Sequence, residues 1–216
     1  MNKKQYYNLI ILIFAFLIFF KTQAQEKKQE SEEIDKIVFM GNSITEFWPK
    51  YSNLFFLNPS YINKGVSGQT TTQMLKRFKV DVINEKPNSV VILAGINDIA
   101  RNTGPISIKD ISKNIIKMSN HARTNNINVI ICSVLPAKYI PWNRSIKDTR
   151  RKIKSLNLLL YQYCEENKII YLDYYSEMVD TEGGLKAPEY TSYNDLVHPN
   201  KMGYKKMEEI LLNVLK

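Results

Sequence analysis

Four short segments carry side chains of the kind that exchange protons or hold charge: Gly41-Asn42-Ser43-Ile44-Thr45, Gly65-Val66-Ser67-Gly68-Gln69, Gly95-Ile96-Asn97-Asp98 and Asp195-Leu196-Val197-His198-Pro199. A serine hydroxyl is a weak nucleophile until a base removes its proton, and histidine titrates near neutrality, so it suits that task. Only His121 and His198 are available, and His121 sits in a helical pattern beside Asn120 and Arg123, as a surface residue would. Asp195 precedes His198 by three residues, close enough to reach the imidazole within one turn, hold its tautomer and stabilise the imidazolium. The two also fit an ordinary helix start, with Pro199 in the first turn. An oxyanion that forms on such a serine needs fixed donors. The backbone N–H groups of Ser43 and Gly65 and the Asn97 amide are the candidates. Each has a plainer reading as well: Gly65 and Gly95 as turn glycines, and Asn97 with Asp98 as a turn pair. Asp98 is assigned to holding its loop. Ser67 is the rival nucleophile, but its Gly-x-Ser-Gly string is not the Gly-x-Ser-x-Gly elbow, which the chain lacks.

These segments need a scaffold that brings them to one mouth. Apolar runs at 37–40, 61–63, 90–94, 129–134 and 169–172 predict five strands. Spacings of three and four predict helices at 70–85, 108–124, 146–167 and 202–215. Strands of continuous Val/Ile character alternating with helices indicate a parallel sheet covered on both faces, a three-layer α/β/α domain of flavodoxin-like type. Reactive groups in such a sheet gather outside the carboxyl ends of the strands, where each of the four segments falls. Tyr139 and Trp142, after the fourth strand, and Tyr190 and Tyr193, before Asp195, fall there too. They are candidates to stack on a sugar or line an acyl pocket, or else they simply pack the loop.

Gly-x-Ser-x-Thr after the first strand, a glycine after the second, Gly-x-Asn-Asp after the third and Asp-x-x-His before the last helix resemble the GDSL/SGNH hydrolases. The likeness runs from Ile37 to Tyr204 and includes Asn63-Lys64-Gly65-Val66-Ser67-Gly68-Gln69-Thr70. It implies the SGNH hydrolase fold, Ser43 as nucleophile, Asp195 and His198 as its partners, and Gly65 and Asn97 in the oxyanion hole. It implies no metal or organic cofactor. The substrates it implies are short-chain esters or O-acetyl groups on glycans. Lysophospholipase or thioesterase activity is the nearest alternative, and a silent carbohydrate-binding module of the same fold is another. The chain departs from the family's usual Gly-Asp-Ser by carrying Asn42, which puts any hydrogen bond made by that acid in question.

Lys3 and Lys4, then an apolar run from Leu9 to Phe20, then Thr22 and Ala24, read as a signal peptide cleaved after Ala24. Twelve helical residues reach about 18 Å against a hydrocarbon core of roughly 30 Å, so an uncleaved span fits less well. Removing 24 of the 216 residues leaves 192, enough for one core. Loss of Lys3, Lys4 and Lys21 lowers the net charge from +9 to +6, a solvated basic surface without a nucleic-acid motif. Residues 25–35 are charged and poor in apolar groups, a flexible tether to the domain at 36–216. Cys132 and Cys164 fall in apolar patterns and are expected as buried free thiols. With two histidines, they assemble no zinc-ligand spacing.

Overall fold

A computed structural model of the protein describes residues 35–215 together with Phe16 and Lys21. The expected leader, its cleavage site and nearly all of the tether lie outside the described residues. The chain falls into two units, 1–35 and 36–216, and the second carries the fold.

Five parallel strands form its sheet in the order β2-β1-β3-β4-β5. They are β1 (Ile37–Gly41), β2 (Tyr61–Gly65), β3 (Ser89–Leu93), β4 (Asn128–Cys132) and β5 (Ile170–Leu172). All five residues of β1 are buried, which follows from its place between β2 and β3 with helices on both faces. Edge strand β2 is only half-buried, so it tolerates Asn63 and Lys64. The order reverses direction at β1, and the register aligns Gly41 with Gly65 and Leu93, so three strand ends open onto one crevice. This is the three-layer, flavodoxin-like arrangement expected from the sequence.

The helices are α1 (Ser43–Tyr51), α2 (Thr71–Asp81), α3 (Ile96–Ile99), α4 (Ile108–Arg123), α5 (Thr149–Asn167), α6 (Tyr174–Met178) and α7 (Lys201–Leu212). Several expected bounds move by a few residues, three of them for evident local reasons. The helix expected over 70–85 ends at Asp81 and gives way to a 3-10 turn, Ile83–Glu85. The one expected from 146 starts at Thr149, because Asp148 is left-handed at φ 60° while Ile146 packs as buried loop. Gly95, at φ 124°, stops β3 short of the run's end at Ala94.

Helix α1 is the element the apolar periodicity does not announce, since Ile44, Thr45 and Pro49 are weak helix formers. Asn42 starts it by capping, its Oδ1 accepting the Ile44 N–H at 3.1 Å. Packing completes it. Trp48 is buried against Phe55 (ring centroids 5.6 Å apart, stacked) and edge-on to Phe39 (5.8 Å). The Trp48 Nε1–H donates to Glu208 Oε1 at 2.9 Å, and the Tyr204 hydroxyl donates to Ile44 O at 2.8 Å, tying α1 to α7. Both cysteines are buried and unpaired. Burial pushes their thiols up, that of Cys164 to about 12.

Candidate functional site

Ser43 occupies the first position of α1, directly after β1, and is 8% exposed. Its Oγ lies 2.9 Å from His198 Nε2 across 155 residues of chain. On the other side of the ring, His198 Nδ1 lies 2.9 Å from both Asp195 oxygens. Asp195 Oδ1 also accepts the N–H groups of His198 (2.8 Å) and Val197 (3.1 Å), so one carboxylate organises the whole turn. Leu196 adopts a left-handed φ of 65° to close it. The turn is therefore not a helix start. Helix α7 begins three residues after His198, at Lys201, with Asn200 as its cap. Thr191 secures the turn from below, its hydroxyl donating to His198 O at 2.7 Å.

In this geometry the serine hydroxyl faces one imidazole nitrogen and the opposite nitrogen faces a carboxylate, an order in which the carboxylate orients the ring so that Nε2 can accept the hydroxyl proton. Asn42 does not interrupt it, because the amide oxygen serves as the helix cap. The N–H of Ser43, at the positive end of α1, has no partner among the described residues. The rival serine is elsewhere engaged: Ser67 Oγ and N–H both donate to Glu46.

Gly65 has a different task from the one expected. Its N–H donates to Asn63 Oδ1 at 2.9 Å and is not available to an oxyanion. What the position requires is the absence of a side chain. A Cβ there would lie 2.1 Å from Glu46 N, so glycine lets the first turn of α1 sit on the end of β2. Three residues on, Gly68 takes φ 75°, with open space where a Cβ would be and an N–H that meets no partner among the described residues. Sequence alone does not distinguish the two glycines, which lie three residues apart, Gly65 at the end of β2 and Gly68 in the loop that follows it.

Two amides pin that loop. Asn97, buried in the first turn of α3, donates from Nδ2 to Gln69 O at 3.0 Å. Asn102, which the motifs pass over, donates from Nδ2 to Gly68 O at 3.0 Å. Asn102 also accepts the indole N–H of Trp142 at 3.0 Å. Asp98 holds structure, as expected. It is buried and accepts the Thr71 N–H at 2.9 Å and the Thr71 hydroxyl at 2.6 Å, and burial raises its carboxyl above the usual range.

The four aromatic candidates part company. Trp142 stacks on the His198 ring with centroids 6.2 Å apart and Phe47 is tilted to it at 5.8 Å, so two aromatic rings stand beside the imidazole. Tyr139 and Tyr193 line a neighbouring cavity of about 240 Å³ that reaches Leu196. Tyr190 does not join the site. It packs on the core, and its carbonyl accepts the N–H of Asn200 at the start of α7. No cluster of three or more His, Cys, Asp or Glu side chains suited to a metal occurs among the described residues.

Known proteins share this arrangement of elements. The solved structure of a GDSL-like lipase from Bacteroides thetaiotaomicron VPI-5482 superposes with a TM-score of 0.81 at 42% identity, covering 91% of this chain and 96% of that one. An uncharacterized lipoprotein of Bacillus subtilis (strain 168) is 23% identical over 171 residues, 66% of each chain. An acetylxylan esterase of Geobacillus stearothermophilus is 48% identical over 40 residues, 18% of each chain. The matches thus span just under two thirds of the first curated relative and less than a fifth of the second. The profile of the GDSL-like lipase/acylhydrolase family matches residues 39–206, and this chain belongs to that family.

Proposed function

We propose that the protein is an exported serine esterase that cleaves carboxylic esters through an acyl-serine intermediate, acting on short-chain or O-acetyl esters carried by glycans. The observation that carries this reading is the unbroken chain Ser43 Oγ–His198 Nε2 and His198 Nδ1–Asp195, each link 2.9 Å.

In the reaction His198 Nε2 takes the hydroxyl proton as Ser43 Oγ bonds to the ester carbon. Asp195 stabilises the imidazolium and fixes its orientation. The N–H groups of Ser43 and Gly68 and the Asn97 amide hold the oxyanion, Gly68 replacing Gly65 in that role. When the tetrahedral adduct collapses, His198 returns the proton to the departing alcohol oxygen. Water, deprotonated by the same nitrogen, then releases the acid and restores Ser43.

The glycan preference draws on the partial likeness to an acetylxylan esterase. It draws also on Trp142 and Phe47, whose rings beside His198 offer faces to a sugar. Export rests on the basic and apolar pattern of residues 1–24 and on the related Bacillus protein being a lipoprotein.

Hydrolysis of p-nitrophenyl acetate, butyrate and octanoate by the purified protein and by Ser43→Ala tests the reading. Turnover that requires Ser43 and falls steeply with chain length is expected. Preference for octanoate would redirect it to lysophospholipid or thioester substrates, and absence of any turnover would leave a silent carbohydrate-binding module. N-terminal sequencing of the exported protein is expected to start at Gln25.

A further inference from the structure

The segment 66–69, between β2 and α2, is held mainly by side chains. Its Gln69 N–H reaches Val66 O at 3.4 Å, and its Val66 N–H reaches Gly41 O at 3.2 Å. Arg77 ties it to the strand that carries the nucleophile. A helical side chain leans toward the N-terminus of its helix, so Arg77 extends back toward the loop that precedes α2. Its Nε donates to Gln69 Oε1 at 2.6 Å and its Nη2 to Gly41 O at 3.0 Å, while Nη1 pairs with Asp81. The guanidinium thus joins the end of β1, two residues before Ser43, to the residue that follows Gly68. We propose that Arg77 is a positioning residue: through Gln69 it keeps the Gly68 N–H and the Asn97 amide aimed at the point where the oxyanion forms. This deepens the esterase reading and rests on it for the identity of those donors.

Gln69 is the link. Its carbonyl accepts the Asn97 Nδ2–H at 3.0 Å. An amide nitrogen carries two hydrogens, so one holds to Gln69 while the other is left for an oxyanion. Gly68 is bonded directly to Gln69, and its φ of 75° sets the direction of its own N–H. Movement of Gln69 therefore turns both donors at once. On the other side of Gly68, the Ser67 N–H donates to Glu46 of α1 at 2.9 Å. The two neighbours of Gly68 are thus tied to the two sides of Ser43, Gly41 before it and Glu46 after it.

An ordinary ion pair with Asp81, one turn along the helix, does not account for this arrangement. Such a pair needs only a charge, which lysine supplies as well. Here the side chain is 17% exposed and directs two of its three nitrogens away from Asp81. A planar fork presents donors to Gln69 and Gly41 at fixed angles, and a lysine ammonium does not. Gly41 O already accepts the Val66 N–H, so the guanidinium is its second donor and not the remedy for an unpaired carbonyl.

Arg77→Lys, Arg77→Gln, Gln69→Ala and the double variant Arg77→Gln/Gln69→Ala test the assignment on p-nitrophenyl acetate, at a temperature well below the melting point of each. Loss of a whole oxyanion donor costs about 10²–10³ in turnover and a misaimed one costs part of that, so both Arg77 variants are expected to lower kcat about tenfold with KM little changed. Gln69→Ala is expected to match them, and the double variant to lose no more than the worse single one, because the two residues act in series. Wild-type kcat in Arg77→Lys is the outcome of a helix ion pair alone. That result, or additive losses in the double variant, would overturn the assignment. A second measurement needs no turnover: amide hydrogen exchange in the peptide 65–70 is expected to quicken about fivefold in Arg77→Gln while exchange in β3 stays at the wild-type rate. Unchanged exchange in 65–70 would also overturn it. Absence of Ser43-dependent hydrolysis of any ester by the wild type would remove the esterase reading. Quickened exchange would then still support Arg77 as the holder of the loop, and unchanged exchange would remove both.

Discussion

Ser43 and the pair Asp195–His198 meet at 2.9 Å, yet they are held by different means. Ser43 belongs to a buried helix whose position is set by distant packing: Trp48 among Phe39, Phe55 and Phe56, and Tyr204 bonded to the backbone of α1. His198 belongs to a loop with no regular structure, and its position is set within a few residues by Asp195, the left-handed Leu196 and Thr191. The difference is between geometry set by the core and geometry set by local hydrogen bonds. A core-set position changes only when the fold loosens. A locally set one can change while the fold stays intact.

Loss of the Asp195 carboxylate is expected to have the largest effect and to separate the two halves. Asp195→Asn keeps the size of the side chain but presents an amide to His198 Nδ1, which favours the wrong tautomer. A fall in kcat of about 10³–10⁴ is expected. The melting temperature is expected to move little, because the turn is partly exposed. A large drop in melting temperature would mean that the turn is set by the core after all. The opposite variant, Trp48→Ala, removes a large ring from the aromatic cluster and is expected to cost about 3–5 kcal/mol of stability in denaturant unfolding. Any activity it loses at low temperature measures how far the position of Ser43 depends on that packing.

Legibility in the sequence followed the same division. The strands were readable because a parallel sheet buried on both faces writes itself as uninterrupted Val and Ile, and the polar segments were readable because three follow strand ends and the fourth precedes the last helix. Helix α1 was not, since the burial of Trp48 and the cap at Asn42, rather than propensity, make Ser43–Tyr51 helical. The donor role was given to Gly65 when the free N–H belongs to Gly68. A glycine signals freedom from a side chain, and only the fold tells whether that space is needed by a neighbouring helix or left open. Proximity in sequence to Asp195 does not determine where a loop residue sits: Tyr190 is partly buried against the core, with Lys186 Nζ over its ring at 5.5 Å.

Asn102 joins the two halves and sharpens the contrast. Its amide holds Gly68 O on one side and the Trp142 indole, stacked on His198, on the other, each at 3.0 Å. Asn102→Ala frees both at once. The expected result is a fall of about tenfold in kcat/KM, with part of it in kcat, since a loosened donor loop weakens oxyanion binding. Trp142→Phe keeps the aromatic wall but breaks the bond to Asn102, and is expected to raise KM with little change in kcat. Identical kinetics in the two variants would show that Asn102 acts on Trp142 alone.

Glu85 lies away from both halves and sets the smallest expected effect. Its carboxylate bridges Lys64 at 2.8 Å and Lys36 at 3.0 Å, clamping β2 to the start of β1. The hydrogen bonds from Lys64 and Lys36 hold its pKa below the ordinary carboxylate value. A depressed folded-state pKa means that the ionised form is favoured by folding. The stabilisation is therefore complete above the unfolded value, near 4.5, and is lost as pH falls through the lower folded value. All three groups are partly exposed and screened by solvent, so Glu85→Gln is expected to cost no more than about 1 kcal/mol at pH 7. The gap from wild type is expected to narrow below about pH 4.5 as the native carboxylate takes up its proton. Ester turnover at pH 7 is expected to stay at the wild-type level, because neither the aromatic packing under Ser43 nor the turn around His198 touches this clamp. A matching loss of turnover would mean that the end of β2, through Gly65, transmits strain to the first turn of α1.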